Sequence, residues 1–291
     1  MTTHALPYHA IALDLDGTLL DPQGQISSVT LRILRELSGR GIQIVIASGR
    51  MTPRVVPYAN DLGIPMTLVT YNGAETLEGQ APNWKLQATR PISHQTRDAV
   101  FELCRQGSIF LNVYADGKLH GYHPDAKFAP SLIYGSQTGA EYAGLHDRLE
   151  ALPQKGISKL LVVDTQENRD RLFQKWTPLL AGHCSLVKSN PEYLEFMALG
   201  VSKGSALESW LAMKGISNQK LIAFGDAEND LEMLNLAALG IAMGNASPGL
   251  RANWSRISSW THAQDGVARE LADLFGLTQM VAFPDPGNGN G

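Results

Sequence analysis

The stretch IALDLDGTLL, residues 11–20, is an apolar run fit for a sheet interior except for two carboxylates one residue apart. Side chains at i and i+2 of a strand point to the same face. Asp14 and Asp16 are therefore expected side by side, with like charges, just before a Gly17-Thr18 turn. Burying such a pair is costly unless a cation or a substrate offsets the repulsion. The spacing calls for a metal.

Reading outward, the first third of the chain alternates strand and helix patterns. SSVTLRILRELSGRG (27–41) carries an apolar stripe at Leu31, Leu34 and Leu37, a serine able to cap and glycines that end the helix. IQIVIASGR (42–50) and MTLVTYNGA (66–74) are further apolar runs closing in polar residues. Between them TPRVVPYANDLGI (52–64) reads as a helix with a kink or late start at Pro57. Alternation of this kind predicts a parallel sheet with right-handed crossovers.

From about Pro82 the texture changes. SIFLNVYADGKLHGYH (108–123) alternates around Asp116-Gly117, a hairpin signal, and CSLVKSNPEYLEFMA (184–198) turns at Asn190-Pro191. Between them lie a strand, SKLLVVD (158–164), and a helix expected to break near Pro178. The parallel pattern resumes with KGSALESWLAMKGI (203–216), LIAFGDAEND (221–230), DLEMLNLAALG (230–240), GIAMGNA (240–246) and DGVARELADLFGL (265–277). The expected fold class is α/β, a Rossmann-like doubly wound parallel sheet. Its core is discontinuous, 1–81 and 195–277, with an α+β cap inserted at 82–194. The Pro/Gly/Asn-rich 278–291 reads as a flexible tail.

Apolar runs thus finish in Asp14 and Asp16, in Ser48-Gly49-Arg50, in Asn72-Gly73, and in Asp226, Asn229 and Asp230. In a parallel sheet all carboxyl ends lie along one edge, where open α/β folds bind ligands. Hard oxygen donors of this kind suit Mg2+, and a nearby lysine, Lys203, would neutralise a phosphoryl dianion. Taken singly, each has an ordinary explanation. Ser48 and Asn72-Gly73 fit turns, Arg50 a partner for a carboxylate, Lys203 a surface charge, and Asp230 a helix cap. Their joint occurrence, each at a strand end, favours a site. A calcium loop is excluded, because Leu19 and Gln25 stand where an EF-hand needs Gly and Glu. No nucleophile elbow, NTP-cradling loop or zinc spacing is present.

With 291 residues, 44% hydrophobic and 18% charged, and a formal charge of −4, the composition is that of an ordinary globular protein rather than a nucleic-acid binder. No apolar run reaches the roughly 18 residues of a membrane helix, and MTTHALPYHA is unlike a secretory leader. The two cysteines, Cys104 and Cys184, read as buried thiols of a cytoplasmic protein.

These residues resemble the haloacid dehalogenase-like phosphohydrolases, specifically the Cof-type branch. The resemblance rests on DLDGTLL (14–20), ASGR (47–50), TYNGA (70–74), GVSKGSAL (200–207), GDAENDLEML (225–234), AMGNA (242–246) and QDGVA (264–268). Ala227 departs from the polar residue often found there. The resemblance implies a phosphatase of a small phosphorylated metabolite, a sugar phosphate or phosphorylated cofactor, acting through an aspartyl-phosphate. It implies Asp14 as nucleophile and Asp16 as general acid and base. Ser48, Gly49, Lys203 and Asn229 would bind substrate. Mg2+ would be held by Asp14, the Asp16 carbonyl and Asp226, aided by Asn229 or Asp230. From composition, no nucleic-acid or membrane partner is expected, and the chain is expected to be a monomer or homodimer. Because the strand ends concern only the phosphoryl group, substrate choice is expected from the cap, with Tyr114–His123 and Lys188–Glu192 as candidate contacts. A phosphomutase using the same intermediate is the alternative, and a non-catalytic phosphometabolite-binding protein the third reading.

Overall fold

The structure is a computed structural model that describes residues 7–125, 134–135 and 138–280. The tail expected at 278–291 lies, from 281 onward, outside the described residues.

The strands are β1 (Ala10–Leu13), β2 (Gln43–Ala47), β3 (Met66–Thr70), β4 (Glu75–Gln80), β5 (Asn83–Thr89), β6 (Leu111–Ala115), β7 (Lys118–Tyr122), β8 (Tyr142–His146), β9 (Ile157–Val163), β10 (Cys184–Asn190), β11 (Tyr193–Ala198), β12 (Leu221–Gly225) and β13 (Leu239–Ala242). The helices are α1 (Ser28–Gly39), α2 (Thr52–Leu62), α3 (His94–Gly107), α4 (Gln166–Leu180), α5 (Lys203–Lys214), α6 (Leu231–Leu236), α7 (Pro248–Asn253) and α8 (Gly266–Phe275).

A seven-stranded sheet has the order β13-β12-β1-β2-β3-β4-β5. Its first five strands in that order run parallel, and β4 and β5 add an antiparallel edge. The parallel strands are apolar on both faces, as a sheet covered on both sides requires. Ile11, Leu13, Ile44 and Ile46 pack under α1, α2 and α8, while Ala10, Ala12, Val45 and Ala47 face α5, α6 and α7. This alternation within one strand fixes its register, because a slip of one residue would exchange the two layers. The sequence boundary at 82 falls in the turn between β4 and β5, and both strands belong to this sheet.

The second sheet, six-stranded, has the order β10-β11-β9-β6-β7-β8 and is antiparallel except for the β7–β8 pair. One face packs on α3 and α4 through Val100, Phe101, Cys104, Trp176 and Leu180. The other, with Tyr114, Leu119, Leu161 and Met197, meets Tyr71, Ala74 and Val201 at the end of the first sheet.

The two hairpins turn where the sequence places them. The prolines behave differently. α2 begins at Thr52 with Pro53 in its first turn, so Pro57 does not delay it. α4 continues through Pro178 to Leu180 rather than breaking there. Each proline deletes one ladder bond, and the packed apolar face of its helix holds the turns together. Both cysteines are buried free thiols, and burial pushes Cys184 up to about 11. Among the described residues no helix is long and apolar enough to cross a membrane.

Candidate active site at the carboxyl edge of the parallel sheet

β1 ends at Leu13, one residue before the first carboxylate. Asp14 keeps extended backbone and donates its N–H to Phe224 O at 3.0 Å, still tied to β12. The chain then winds into a turn at Leu15–Leu19, with Gly17 at φ +74° and Leu20 N–H donating to Leu15 O. This turn corrects the same-face expectation for Asp14 and Asp16, since the period-2 rule holds only while the strand lasts. Asp14 points inward and is 5% exposed. The Asp16 side chain is 55% exposed and takes Arg50 in a two-pronged ion pair at 2.8 and 2.5 Å. Arg50 therefore has the carboxylate partner that its ordinary reading gave it, and its guanidinium also lies over the Tyr58 ring.

Lys203 opens α5 behind the Ser202 cap, and it is no surface lysine: 1% of it is exposed. Its Nζ donates to Asp14 Oδ1 at 2.5 Å and to Asp230 Oδ1 at 2.6 Å. Asp230, fully buried, does not cap α6 with its side chain. Its Oδ2 turns back to accept the N–H groups of Asp226 and Ala227 at 2.9 and 3.0 Å. Gly225 makes room for that return, since a Cβ there would collide with the Asp230 side chain. Asp226 completes the group, with Thr18 Oγ1 donating to its Oδ1 at 3.4 Å. Gly17 passes so close that a Cβ on it would run into the Asp226 carboxylate.

Asp14, Asp226 and Asp230 each offer an oxygen, all within 4.8 Å of one another. One lysine cannot balance three carboxylates. Burial, and then the charge of Asp230, hold the Asp14 carboxyl well above its ordinary range against the pull of Lys203. The same causes push Asp226 up to about 7. Burial works against the Lys203 ammonium, but Asp14 and Asp230 outweigh it and raise its pKa. An oxygen-only, electron-rich cluster with excess negative charge fits a hard divalent cation.

Ser48 is buried at the end of β2 and accepts the Arg50 N–H at its Oγ. Asn72 N–H donates to Ser48 O, and the Asn72 side chain accepts from Asn229 Nδ2 at 3.0 Å. Ser48, Gly49 and Asn229 are thus linked through Asn72. Four residues to which the sequence assigns no role also join the site. Thr18 touches Asp226 as described, and Asn245 Nδ2 donates to Gly17 O at 2.8 Å, bracing the turn after the first aspartate. Lys159 and Glu195 reach in from the second sheet: Lys159 Nζ donates to Gly49 O at 2.8 Å and to Glu195 Oε1 at 3.0 Å. Glu195 in turn accepts from Asn72 Nδ2. Of the insert residues expected near substrate, Tyr114 lies under the Lys159 ammonium, whereas Lys188 pairs with Asp170 at an exposed position.

Comparison with known proteins agrees with this geometry. The family model of haloacid dehalogenase-like hydrolases matches residues 11–271. An HMP-PP phosphatase from Cronobacter sakazakii is 32% identical over 261 residues, covering 89% of this chain and 93% of that protein. A 5-amino-6-(5-phospho-D-ribitylamino)uracil phosphatase from Bacillus subtilis is 28% identical over 279 residues, covering 93% and 98%. Among solved structures, a haloacid dehalogenase-like hydrolase from Bacteroides thetaiotaomicron superposes with a TM-score of 0.78 at 26% identity, covering 92% of this chain and 100% of that one. The chain belongs to the haloacid dehalogenase-like hydrolases, in their Cof-type phosphatase branch.

Proposed function

We propose that the protein is a Mg2+-dependent phosphatase of a small phosphorylated metabolite, working through an aspartyl-phosphate on Asp14. The observation that carries this reading is the buried Lys203 ammonium held between Asp14 and Asp230 beside Asp226. Asp14 and Asp226, aided by the Asp16 carbonyl and by Asp230, would hold the cation, with Asn229 left to the phosphoryl group. When bound, Mg2+ lowers the charge repulsion between an anionic nucleophile and a phosphate dianion.

The chain's own groups then have separable tasks. Lys203 orients the Asp14 carboxylate and places a positive charge where phosphoryl oxygens gather negative charge. An Asp14 oxygen forms a bond to phosphorus as the ester oxygen leaves, and Asp16 gives the leaving oxygen a proton. In the second half Asp16 takes a proton from water, the water oxygen bonds to phosphorus, and Asp14 is released. For this Asp16 must loosen its two-pronged bond to Arg50, which makes Arg50 the group that holds the acid at rest. Ser48, Gly49 and Asn229 would receive the phosphoryl oxygens.

We also propose that the segment carrying the second sheet selects the substrate. The relatives named above are phosphatases of different named compounds, while the core residues described here concern only the phosphoryl group. In this proposal its edges lie after β5 (Asn83–Thr89) and after β11 (Tyr193–Ala198). Buried free thiols fit a reducing, cytoplasmic setting. The test is hydrolysis of an aryl phosphate with Mg2+, followed by trapping of the acid-stable carboxyl-phosphate on Asp14. Turnover undiminished in Asp14→Asn would overturn the reading.

A further inference from the structure

Where the two sheets meet, a buried chain of hydrogen bonds runs from Lys159 through Glu195 and Asn72 to Asn229. Lys159 and Glu195 are 4% and 3% exposed, and Asn72 is 1% exposed. A buried ion pair is weak evidence for stability, because apolar residues of similar volume often serve as well. Its donor and acceptor logic is more informative. An ammonium can only donate and an ionised carboxylate can only accept, whereas an amide does both at distinguishable ends.

The order of atoms follows from one end. Lys159 donates, so Glu195 accepts from it at Oε1 and has only an acceptor, Oε2, to offer Asn72. Asn72 must then turn Nδ2 toward Glu195 and Oδ1 toward Asn229. Asn229 must answer with Nδ2, which leaves the second hydrogen of that nitrogen free to donate. The Asn72 amide lies close against Gly49: a Cβ there would come within 3.1 Å of Asn72 Oδ1 and 3.2 Å of its Nδ2. Asn72 is further pinned by its own N–H, which donates to Ser48 O at 3.0 Å.

We infer that Lys159 and Glu195 are positioning residues, which fix from the second sheet the orientation of the Asn229 amide so that it presents an N–H to a phosphoryl oxygen. This rests on the proposed phosphatase site. Reversing the Asn229 amide would set a carbonyl oxygen against the dianion.

Glu195→Gln is nearly isosteric, and the same logic gives it a definite consequence. Lys159 still requires an acceptor, so the new amide turns its oxygen to Lys159 and its nitrogen to Asn72. Asn72 reverses, and Asn229 reverses with it. Adding Asn72→Asp restores the original order, because a carboxylate there accepts from the new amide on one side and from Asn229 on the other. The formal charge of the pair of positions is unchanged in the double variant.

The probes are inorganic phosphate, titrated calorimetrically in saturating Mg2+, and Mn2+ alone. Glu195→Gln is expected to weaken phosphate binding roughly 10–100-fold, the range seen when an orienting partner is lost, and to leave Mn2+ affinity within about twofold. Glu195→Gln with Asn72→Asp should recover most of the phosphate affinity. On an Asn229→Ala background, Glu195→Gln should cause no further loss. Phosphate affinity unchanged by Glu195→Gln, an absence of recovery in the double variant, or an equal loss on the Asn229→Ala background would each overturn the inference. Failure of the wild-type protein to bind phosphate at all would instead overturn the phosphatase reading.

Discussion

Two buried lysines stand at the edge of the parallel sheet, and they are surrounded in opposite ways. Lys159 faces one carboxylate, Glu195, and a carbonyl, Gly49 O, so its charge is matched. Lys203 faces Asp14 and Asp230 with Asp226 close by, so its surroundings keep an excess of negative charge. The matched pair is a finished structural unit. The unmatched one is held in a high-energy arrangement that a bound cation would relieve. Perturbed carboxylates concentrate where chemistry is done, and Asp14 and Asp226 beside Lys203 are both raised.

The comparison breaks most sharply at Asp14. Replacing it by Asn removes the attacking charge without changing shape, so steady-state turnover should fall by at least about 10⁴-fold, the scale on which losing a covalent nucleophile is felt. Lys203→Met should lower kcat by roughly 10²–10³-fold, the effect of deleting one preorganised donor in the transition state. If the Lys203 variant changed only KM, its role would be binding alone.

Lys159→Met should destabilise the fold. Leaving Glu195 buried without its partner costs about 3–5 kcal/mol, whereas Lys159→Met with Glu195→Leu should lose much less. Urea unfolding of the two variants gives the ratio directly; equal losses would mean that the pair has no special pairing energy.

A smaller effect separates the two centres by pH. Asp226, pushed up to about 7, binds a proton in the folded state that it releases in the unfolded one at moderate pH. The folded state then holds more protons, so metal-free stability should fall as pH rises from the ordinary carboxylate range through about 7. For the same reason Mn2+ affinity should rise up to about tenfold per pH unit below 7 and level off above it. Chemical unfolding and calorimetric Mn2+ titration, each at pH 6, 7 and 8, measure the two trends. A flat profile would mean that Asp226 is already ionised without the cation.

Much of the core site is legible in the sequence because it sits on strands. An apolar run ending in polar residues has one place to go in a parallel sheet, which brings Asp14, Ser48 and Asp226 to the same edge on pattern alone. Asp16 departs from its expected place because Gly17, at φ +74°, turns the chain out of the strand just where the pair would need to lie in it. Lys159 and Glu195 are harder to read for another reason. Their own sheet pairs them with each other, and only the docking of the second sheet onto Gly49 and Asn72 ties the pair to the site. A signal is nevertheless present, since ISKLLVV (157–163) and YLEFMA (193–198) each place one charge in a strand otherwise suited to burial. A lone charge in a strand core marks a polar partner elsewhere in the fold.

The β1–β12 pairing has a consequence for how the chain comes together. Ala10 lies opposite Leu221, and Leu13 opposite Phe224, so the middle one of the five parallel strands waits for a neighbour synthesised more than two hundred residues later. Its other neighbour, β2, arrives early, and the strands of the second sheet all lie between. Such distant closure carries a large entropic penalty before any contact rewards it, and folding slows accordingly. On the ribosome, β1 with β2 and β3 would spend most of translation as an incomplete sheet with an open edge, the state in which nascent α/β chains are most exposed to misassociation. Asp14 stands on that edge, and it can acquire its lysine and its companion carboxylates only when the last third of the chain has emerged.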